Sequence, residues 1–459
     1  MNMKLDKNWT TDNNGYPLND DEVARYISVV PTESQKKLQD NPFYLFFHFG
    51  MNTATGREWG NAQEIVKDFN ITNVDAAQWI SVAKASGATG VILTCKHHDG
   101  FCLWDTKYTD FNVMNTALGT DIVKLVSDEC HRQGMEFGVY LSPWDMHEKC
   151  YGTEPYNDYF CNQLTELLTN YGEVFEVWFD GAKGANAKKF EYDWNRIYDT
   201  VRSLQPNANM AVCGPDIRWV GNEGGKSRNS EFSVVPTSLK RCETIAKNSQ
   251  QTADGGAAMQ KVDSMDEDLG SRKILKNSPE LSWYPAEVDV SIRKGWFFNK
   301  KDNRNVKSVR KLMKIYLKSV GNNCTLLLNI PPNDEGKIYK KDVKVLRKFG
   351  ESIKNITANP VLVQNFGMLS EDNGYLEFKF SGPKKMRYCV LEEDITKSQR
   401  VEKFDLYLQK PNGKYKLAYR GTVIGARKII KLKGNCKGAV LVIRQSRSNP
   451  CLQKIGFYE

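Results

Sequence analysis

Several patterns that mark common classes of protein are absent from this sequence. No run of about 18 apolar residues occurs, so no segment is predicted to cross a membrane. The N-terminal stretch is polar and contains no apolar signal core. No GxGxxG or GxxxxGKS/T pattern opens a predicted helix, which argues against nucleotide binding.

Cysteine is present, but not in the arrangements that build metal sites. The eleven Cys residues include no CxxC pair and no His at a zinc-like spacing. Several lie inside apolar runs, namely Cys95, Cys213, Cys324 and Cys389. We therefore predict that most of them are buried free thiols that pack as small hydrophobic side chains.

A concentrated charge of one sign is missing too. The 64 basic and 55 acidic residues give a net charge of +9, dispersed through segments such as Lys300–Lys318 and Lys337–Lys348. Dispersed charge favours a solvated basic surface over a nucleic-acid groove, so no nucleic-acid partner is predicted. The ten Trp and twenty Tyr residues fit a protein that grips flat apolar faces, such as the C–H faces of sugars.

Predicted strands and helices alternate along most of the chain. The strands are Tyr44–Gly50, Thr89–Cys95, Glu136–Ser142, the run within Glu173–Gly184, Asn209–Cys213 and Thr325–Ile330. The helices are Val74–Ser86, Asp121–Gln133, Tyr159–Asn170, Trp194–Leu204, Val306–Val320 and Lys340–Asn355. Parallel β/α units explain this order, because parallel strands need long crossovers. An open doubly wound sheet and a closed barrel both fit.

The pattern changes in two places. Residues from about 224 to 280 are polar with little periodicity, which predicts an insert. From about Ala358 onwards, short strands alternate with turn signals, as in a β-sandwich. We predict a catalytic domain over residues 1–355, followed by a β-sandwich over residues 356–459.

The stretch Glu173–Gly184 ends an apolar strand on a single carboxylate. Alternation predicts that Phe175, Val177 and Phe179 share one face, and that Glu176, Trp178 and Asp180 share the other. Because active sites of parallel barrels lie at the carboxyl ends of their strands, Asp180 is a candidate catalytic residue. The alternative is a strand that ends in a turn-forming Asp-Gly. Glu176 is expected to point into the interior and to have a basic or hydrogen-bonding partner.

Other predicted strand ends also carry polar side chains. His48 ends the first strand, His97 and His98 follow the second, and Tyr140 lies near the end of the third. A zinc cluster is one interpretation, but no HxH pattern is present, so no metal is predicted. A glycosidase would need a second carboxylate beside Asp180. Glu223 and Glu287 are the candidates, each near a Trp in sequence; either could equally be a solvated loop residue.

Five motifs, in order from about Phe43 to Pro332, resemble the α-L-fucosidases of glycoside hydrolase family 29. They are FFHFG with Glu58 and Trp59, KHHDGFCLWD, EVWFDGAKG, AEVDVSIRKGWFF and VGNNCTLLLNIPP. The resemblance implies an irregular (β/α)8 TIM-like barrel, a C-terminal β-sandwich, and retention without a cofactor or metal. It also implies fucosylated oligosaccharides or glycoconjugates as substrates, and a secreted or periplasmic bacterial protein whose signal has been removed.

The resemblance assigns roles to individual residues. Asp180 is the implied nucleophile, and Glu223 is the implied acid/base, with Glu287 as the second candidate. The RWVGNEGG segment, which contains Trp219 and Glu223, resembles the subgroup that cleaves α-1,3/1,4-fucosyl linkages on branched, Lewis-type glycans. The implied substrate-binding residues are His48, Glu58, Trp59, His97, His98, Tyr140, Trp178, Trp219, Trp283, Glu287 and Trp296. Another barrel glycosidase and a non-catalytic fucose-binding protein stay open as alternatives.

Overall fold

A computed structural model of the chain describes residues 18–182, 188, 190–241, 268–370 and 375–459. The strands of the first part are β1 Phe43–Phe47, β2 Gly90–Lys96, β3 Glu136–Leu141, β4 Glu176–Phe179, β5 Asn209–Val212, β6 Arg218–Trp219, β7 Val234–Pro236, β8 Leu281–Trp283, β9 Ala286–Ser291 and β10 Cys324–Asn329. Eight of them form one parallel sheet in the order β5-β4-β3-β2-β1-β10-β9-β6. A parallel bridge from Ala211 to Ile217 brings its two ends together, so the sheet is a nearly closed barrel.

Helices cover the outside of this barrel. Their bounds are α1 Asp20–Ile27, α2 Glu33–Asp40, α3 Met51–Thr55, α4 Ala76–Ala85, α5 Ile122–Gln133, α6 Pro155–Asn170, α7 Trp194–Leu204, α8 Arg272–Lys276, α9 Val309–Lys318 and α10 Lys340–Lys354. The outward face of β4 packs as its alternation predicts, since the Phe179 ring contacts Phe160 of α6 and Trp194 of α7. None of the helices described is long and apolar enough to span a membrane.

The first strand is apolar throughout because both of its faces are covered. All five residues of β1 are buried, and the ring of Phe47 lies against Trp79 of α4. Residues 281–291 form two strands, β8 and β9. Pro285 lies between them, and proline cannot donate to a continuous ladder.

The segment between β6 and β9 contains β7, β8 and α8. The two strands pair antiparallel as a separate ribbon. The predicted polar insert at about 224–280 falls partly on residues 242–267, which lie outside the described residues.

The C-terminal part is an antiparallel β-sandwich. Its strands are β11 Pro360–Asn365, β12 Tyr375–Lys385, β13 Tyr388–Glu393, β14 Val401–Gln409, β15 Tyr415–Gly421, β16 Lys428–Lys431, β17 Asn435–Ser446 and β18 Leu452–Tyr458. They form two sheets, ordered β11-β18-β13-β16 and β12-β17-β14-β15. The predicted TIM-like barrel with a C-terminal β-sandwich is therefore confirmed. Although the sandwich has its own apolar core, Val390, Ile429 and Tyr458 pack with the barrel core.

Candidate active site

The carboxyl ends of the first four barrel strands bring the predicted polar side chains together. His48 follows β1, His97 and His98 follow β2, Tyr140 is the penultimate residue of β3, and Asp180 follows β4. The ring centroids of His97 and His98 are 4.0 Å apart, and those of His48 and His97 are 5.7 Å apart. Parallel strands end at one edge, so residues far apart in sequence form one cluster.

Asp180 lies within this cluster and has a partner on each carboxylate oxygen. The Tyr140 hydroxyl donates to Oδ2 at 2.9 Å, and the backbone N–H of Ala182 donates to Oδ1 at 2.8 Å. His98 Nε2 is 3.9 Å from Oδ2. The side chain keeps 20% of its surface accessible, so a ligand can reach a carboxylate whose orientation is already fixed.

Hydrogen bonds fix the tautomers of two of the imidazoles. The Nδ2 group of Asn329 donates to Ser291 and to the Trp296 carbonyl, so its Oδ1 accepts from His48 Nδ1 at 2.9 Å. The Ser142 hydroxyl donates to the Trp144 carbonyl at 2.6 Å and therefore accepts from His98 Nδ1 at 2.7 Å. In the neutral form, Nε2 of His48 and Nε2 of His98 are consequently hydrogen-bond acceptors.

His97 has the opposite arrangement. The Asn52 amide N–H2 donates to Asp99 at 2.9 Å and to His97 Nδ1 at 3.4 Å, which leaves a proton on His97 Nε2. Burial lowers the pKa of all three imidazoles, and that of His48 falls to about 3. The cluster is therefore neutral near pH 7 and offers one N–H donor and two acceptors, a set that suits sugar hydroxyls.

Aromatic side chains form walls beside these polar groups. The Trp178 indole stacks on Tyr140 with ring centroids 5.4 Å apart and planes at 20°. Trp59 meets His98 edge-on at 5.3 Å and Trp144 at 5.2 Å. Flat apolar surfaces of this kind can cover the C–H face of a sugar.

Trp296 connects two further carboxyl groups at the mouth of the site. Its backbone N–H donates to Glu58 Oε2 at 2.7 Å, and its indole N–H donates to Glu223 Oε2 at 3.2 Å. Burial raises the pKa of both carboxyls, and the charge of Asp180 raises that of Glu223 further. Solvent still reaches Glu223 although protein atoms crowd around it, so its desolvation is partial.

Glu287 lies elsewhere, fully buried on β9 inside the barrel. It accepts the Trp178 indole N–H at 2.8 Å on one oxygen and the Tyr44 hydroxyl on the other. A side chain with no accessible surface disagrees with the substrate-binding role that the resemblance implies for Glu287. Its neighbour is Glu176, whose side chain faces the interior as predicted. We expected a basic or hydrogen-bonding partner for Glu176. Among the described residues its buried carboxyl has no basic partner, and its side chain is hydrogen-bonded to that of Glu287.

Two of the Trp residues predicted to bind substrate, Trp219 and Trp283, have hydrogen-bond partners outside the His cluster. Trp219 on β6 is half-buried, and its indole donates to Asp289 Oδ1 at 3.0 Å. Trp283 packs in a separate apolar cluster with Tyr26 and Leu275 and donates to Gln39 at 2.8 Å. This location disagrees with the substrate-binding role that the resemblance implies for Trp283, because the break at Pro285 places Trp283 on the β7–β8 ribbon, outside the barrel sheet.

Several residues that support the cluster were not singled out from the sequence. They are Asn52, Ser142, Trp144, Asp289, Ser291 and Asn329. Asn329 and Ser291 end fully buried strands, which is the same signal that identified His48. Asn52 has no such signal, because it reaches His97 only through the placement of α3.

One group of donor atoms in the described residues is compact enough to hold a metal ion. Single ligand atoms of His97, His98 and Asp180 lie within 4.8 Å of one another. In this group Asp180 already accepts from Tyr140 and Ala182, and His97 Nε2 carries a proton. The hydrogen bonds thus match the recognition of hydroxyl groups better than the ligation of an ion.

Comparison with known proteins places the chain in a family. Residues 27–356 match the family model described as alpha-L-fucosidase. Alpha-L-fucosidase 1 of Arabidopsis thaliana is 35% identical over 470 aligned residues, which cover 94% of this chain and 88% of that protein. A putative alpha-L-fucosidase 1 of Oryza sativa is 38% identical over 330 residues, 71% of this chain and 59% of that protein.

Solved structures agree with this assignment. A putative alpha-L-fucosidase from Bacteroides ovatus is 41% identical, with a TM-score of 0.86 over 95% of this chain and 75% of that one. A glycoside hydrolase family 29 fucosidase from Ruminococcus gnavus, solved in complex with fucose, is 27% identical, with a TM-score of 0.80 over 94% and 95%. The chain belongs to the α-L-fucosidases of glycoside hydrolase family 29 and is an enzyme that releases fucose from fucosylated glycans.

Proposed function

We propose that this enzyme is a retaining exo-α-L-fucosidase in which Asp180 is the nucleophile and Glu223 is the acid/base. The main support for this assignment is the difference between the environments of these two carboxyls. Asp180 is oriented by Tyr140 and Ala182 inside the His cluster, whereas Glu223 lies at the mouth with a raised pKa. Two carboxyls whose environments differ in this way suit a nucleophile and a proton donor.

The reaction proceeds in two displacements. Asp180 attacks the anomeric carbon as the glycosidic C–O bond breaks, and the proton of Glu223 moves to the departing oxygen. Glu223, now ionised, takes a proton from a water molecule that attacks the same carbon and releases fucose from Asp180. Two inversions give net retention, which requires the two carboxyls to lie about 5 Å apart. No cofactor takes part.

Recognition of fucose follows from the donors and acceptors around Asp180. Nε2 of His48 and Nε2 of His98 accept hydrogen bonds from sugar hydroxyls, while His97 Nε2 donates one. The Glu58 carboxyl binds a further hydroxyl. Trp59 and Trp178 cover the C–H face and the C6 methyl group. A sugar that lacks one of these hydroxyls leaves a buried group unpaired, so discrimination is strong.

The natural substrate is a branched, Lewis-type glycan with a terminal α-1,3- or α-1,4-linked fucose. The support is the RWVGNEGG segment, which carries Trp219 and Glu223, and the position of Trp296 beside Glu223. Half-buried indoles on the leaving-group side can hold the sugars next to fucose.

The test compares an aryl α-L-fucoside with a Lewis-type trisaccharide. Asp180→Ala abolishes turnover of both substrates. Glu223→Ala is expected to impair the trisaccharide far more than the aryl fucoside, whose leaving group needs no proton. Both substrates still lose the base that activates water in the second displacement. Azide restores Glu223→Ala and yields a fucosyl azide whose configuration reports on the covalent intermediate. The basic limb of kcat/KM on the trisaccharide should lie above the ordinary pKa of Glu, because partial desolvation and the charge of Asp180 raise the pKa of Glu223.

Glu58→Ala is the matched control, because Glu58 shares Trp296 with Glu223 but is assigned to binding. Glu58→Ala should lower kcat/KM for both substrates by a similar factor, and azide should not restore its activity. Rescue of Glu287→Ala by azide in place of Glu223→Ala would show that the two acids are exchanged. Equal turnover of other aryl glycosides would contradict the assignment to fucose, and the absence of any preference for the trisaccharide would contradict the linkage.

A further inference from the structure

Two carboxyl groups lie fully buried beneath the site, and the proposed reaction uses neither of them. Glu176 on β4 and Glu287 on β9 both have no accessible surface. The two side chains are hydrogen-bonded to each other across the barrel interior. Two buried carboxylates side by side would repel strongly, so one proton between them is the economical arrangement.

The hydrogen bonds decide which carboxyl keeps the charge. Glu287 accepts from the Trp178 indole at 2.8 Å and from the Tyr44 hydroxyl, so each of its oxygens has a donor. Within the described residues no N–H or O–H group is placed to donate to either oxygen of Glu176, whereas the Glu176 and Glu287 side chains are hydrogen-bonded to each other. A hydrogen bond between two carboxyl groups needs a proton on one of them, and Glu176 is the one whose oxygens are not already taken by other donors. Burial and the neighbouring Glu287 raise the pKa of Glu176 well above its usual value.

The charged member of the pair supports the wall of the site. Glu287 holds the Trp178 indole, Trp178 stacks on Tyr140 at 5.4 Å, and Tyr140 donates to Asp180 at 2.9 Å. The connection from Glu287 to Asp180 therefore contains two hydrogen bonds and one ring stack. Hydrogen bonds to a carboxylate are stronger than those to a neutral acceptor, so the charge itself stiffens this connection.

We propose that Glu176 and Glu287 share one proton, carried by Glu176, and that the remaining negative charge on Glu287 positions Trp178 and, through Tyr140, the nucleophile. Glu287 is a positioning residue and Glu176 is the carrier of the proton, since neither side chain reaches the sugar. The kinetic part of this inference rests on the proposed function, because it takes Asp180 as the nucleophile. The location of the proton is independent of that assignment.

Amide substitutions at the two positions should have unequal effects. In Glu176→Gln the amide N–H donates to Glu287 as the carboxylic acid does, so kcat should stay within about twofold of the wild type. In Glu287→Gln only one oxygen remains for two donors, and the amide N–H2 must face either Tyr44 or Trp178. Either way the Trp178 indole loses its charged acceptor, and the looser wall is expected to lower kcat on an aryl fucoside about 10- to 100-fold.

Glu393→Gln is the matched control for the loss of a buried carboxyl. Glu393 in the sandwich is 1% exposed and accepts the backbone N–H groups of Arg400, Val401 and Gly425. This variant should lower the melting temperature and leave kcat unchanged. Comparison with Glu287→Gln separates a loss of positioning from a loss of stability.

Infrared spectroscopy tests the proton without reference to activity. The difference spectrum between the wild type and Glu176→Gln at pH 8 should contain the C=O band of a protonated carboxylic acid. Absence of that band would overturn the shared proton even if Glu287→Gln fails to fold. Equal kinetic effects of the two Gln variants would overturn the positioning role. Full activity of Asp180→Ala, with the band present, would instead contradict the proposed function alone.

Discussion

The chemistry of the site depends on single side chains whose ordinary behaviour is changed by a neighbour. An imidazole can donate or accept at either nitrogen, and the choice here is made by Asn329, Ser142 and Asn52. Burial then keeps the rings neutral, with the pKa of His48 lowered to about 3. The three histidines thereby provide one hydrogen-bond donor and two hydrogen-bond acceptors.

Tyr140 is the residue whose removal should affect the nucleophile most selectively. Tyr140→Phe deletes the 2.9 Å hydrogen bond to Asp180 and keeps the ring stacked on Trp178. A hydrogen bond to a charged group contributes about 1.5–3 kcal/mol, which corresponds to a roughly 10- to 160-fold fall in kcat. Steady-state kinetics on an aryl fucoside measure it.

Tyr171→Phe provides the control for that substitution. The Tyr171 hydroxyl also donates to a carboxylate, that of Asp121 at 2.7 Å, but on the outside of the barrel. It should reduce stability without changing kcat. If the two variants had equal kcat, the hydrogen bond from Tyr140 would play no part in positioning Asp180.

At the scale of elements, the turn after β2 is held by a buried ion pair. Lys96 Nζ lies 2.8 Å from Asp145 Oδ2, and neither side chain has more than 1% of its surface accessible. Asp145 also accepts the backbone N–H groups of His147 and Glu148. Gly100 in the same turn has φ +84°, and a Cβ there would collide with Asp145. The loops after β2 and β3 are thus joined directly beside His97 and His98.

Removal of Lys96 should therefore destabilise the barrel strongly. Lys96→Met leaves the Asp145 carboxylate buried without its cation, a loss of about 3–5 kcal/mol in the free energy of unfolding. Urea unfolding followed by circular dichroism measures it. Adding Asp145→Leu to Lys96→Met should recover part of the loss, because the uncompensated charge is removed.

An exposed ion pair supplies the comparison. Lys36 and Asp40 on α2 lie four residues apart, with 35% and 48% of their side-chain surfaces accessible. Lys36→Met should change the free energy of unfolding by no more than about 0.5 kcal/mol, because solvent screens the pair. If Lys36→Met and Lys96→Met lowered the free energy of unfolding by similar amounts, burial would not explain the strength of the Lys96–Asp145 pair.

At the scale of the whole molecule, the β-sandwich is part of the barrel's packing. Ile429 of β16 is 8% exposed and belongs to the barrel core, and Lys428 donates to Asn322 in the loop that precedes β10. The backbone N–H of Asn323 donates to the Arg427 carbonyl at 3.0 Å. These contacts predict that sandwich and barrel unfold together.

Ile429→Ala tests this coupling. Truncation of a buried Ile costs about 2–5 kcal/mol, and activity and circular dichroism should be lost in one coincident transition at lower urea. Leu417 lies on β15 and is 37% exposed. Leu417→Ala should therefore change the free energy of unfolding by no more than about 0.5 kcal/mol. Separate transitions for activity and for the sandwich would refute a single cooperative unit.

The alternation of strand and helix was readable from the sequence because covered parallel strands are continuous apolar runs. The boundaries of α7 and the polar strand ends at His48, His97, His98 and Asp180 follow from local patterns alone. The position of Trp283 was not predictable in this way. A Trp before an apolar strand has the same local pattern on a barrel strand as on a separate ribbon.

The sequence by itself determined the order of the barrel units, the sandwich and the carboxylate at the tip of β4, since periodicity and turn chemistry are local properties. Only the tertiary structure decided which distant groups meet. It brought β4 and β9 to opposite sides of the barrel interior, so that Glu176 faces another acid and Glu287 holds Trp178 from below. The physical reason is that alternation gives the direction of a side chain, whereas closure of the barrel selects its partner.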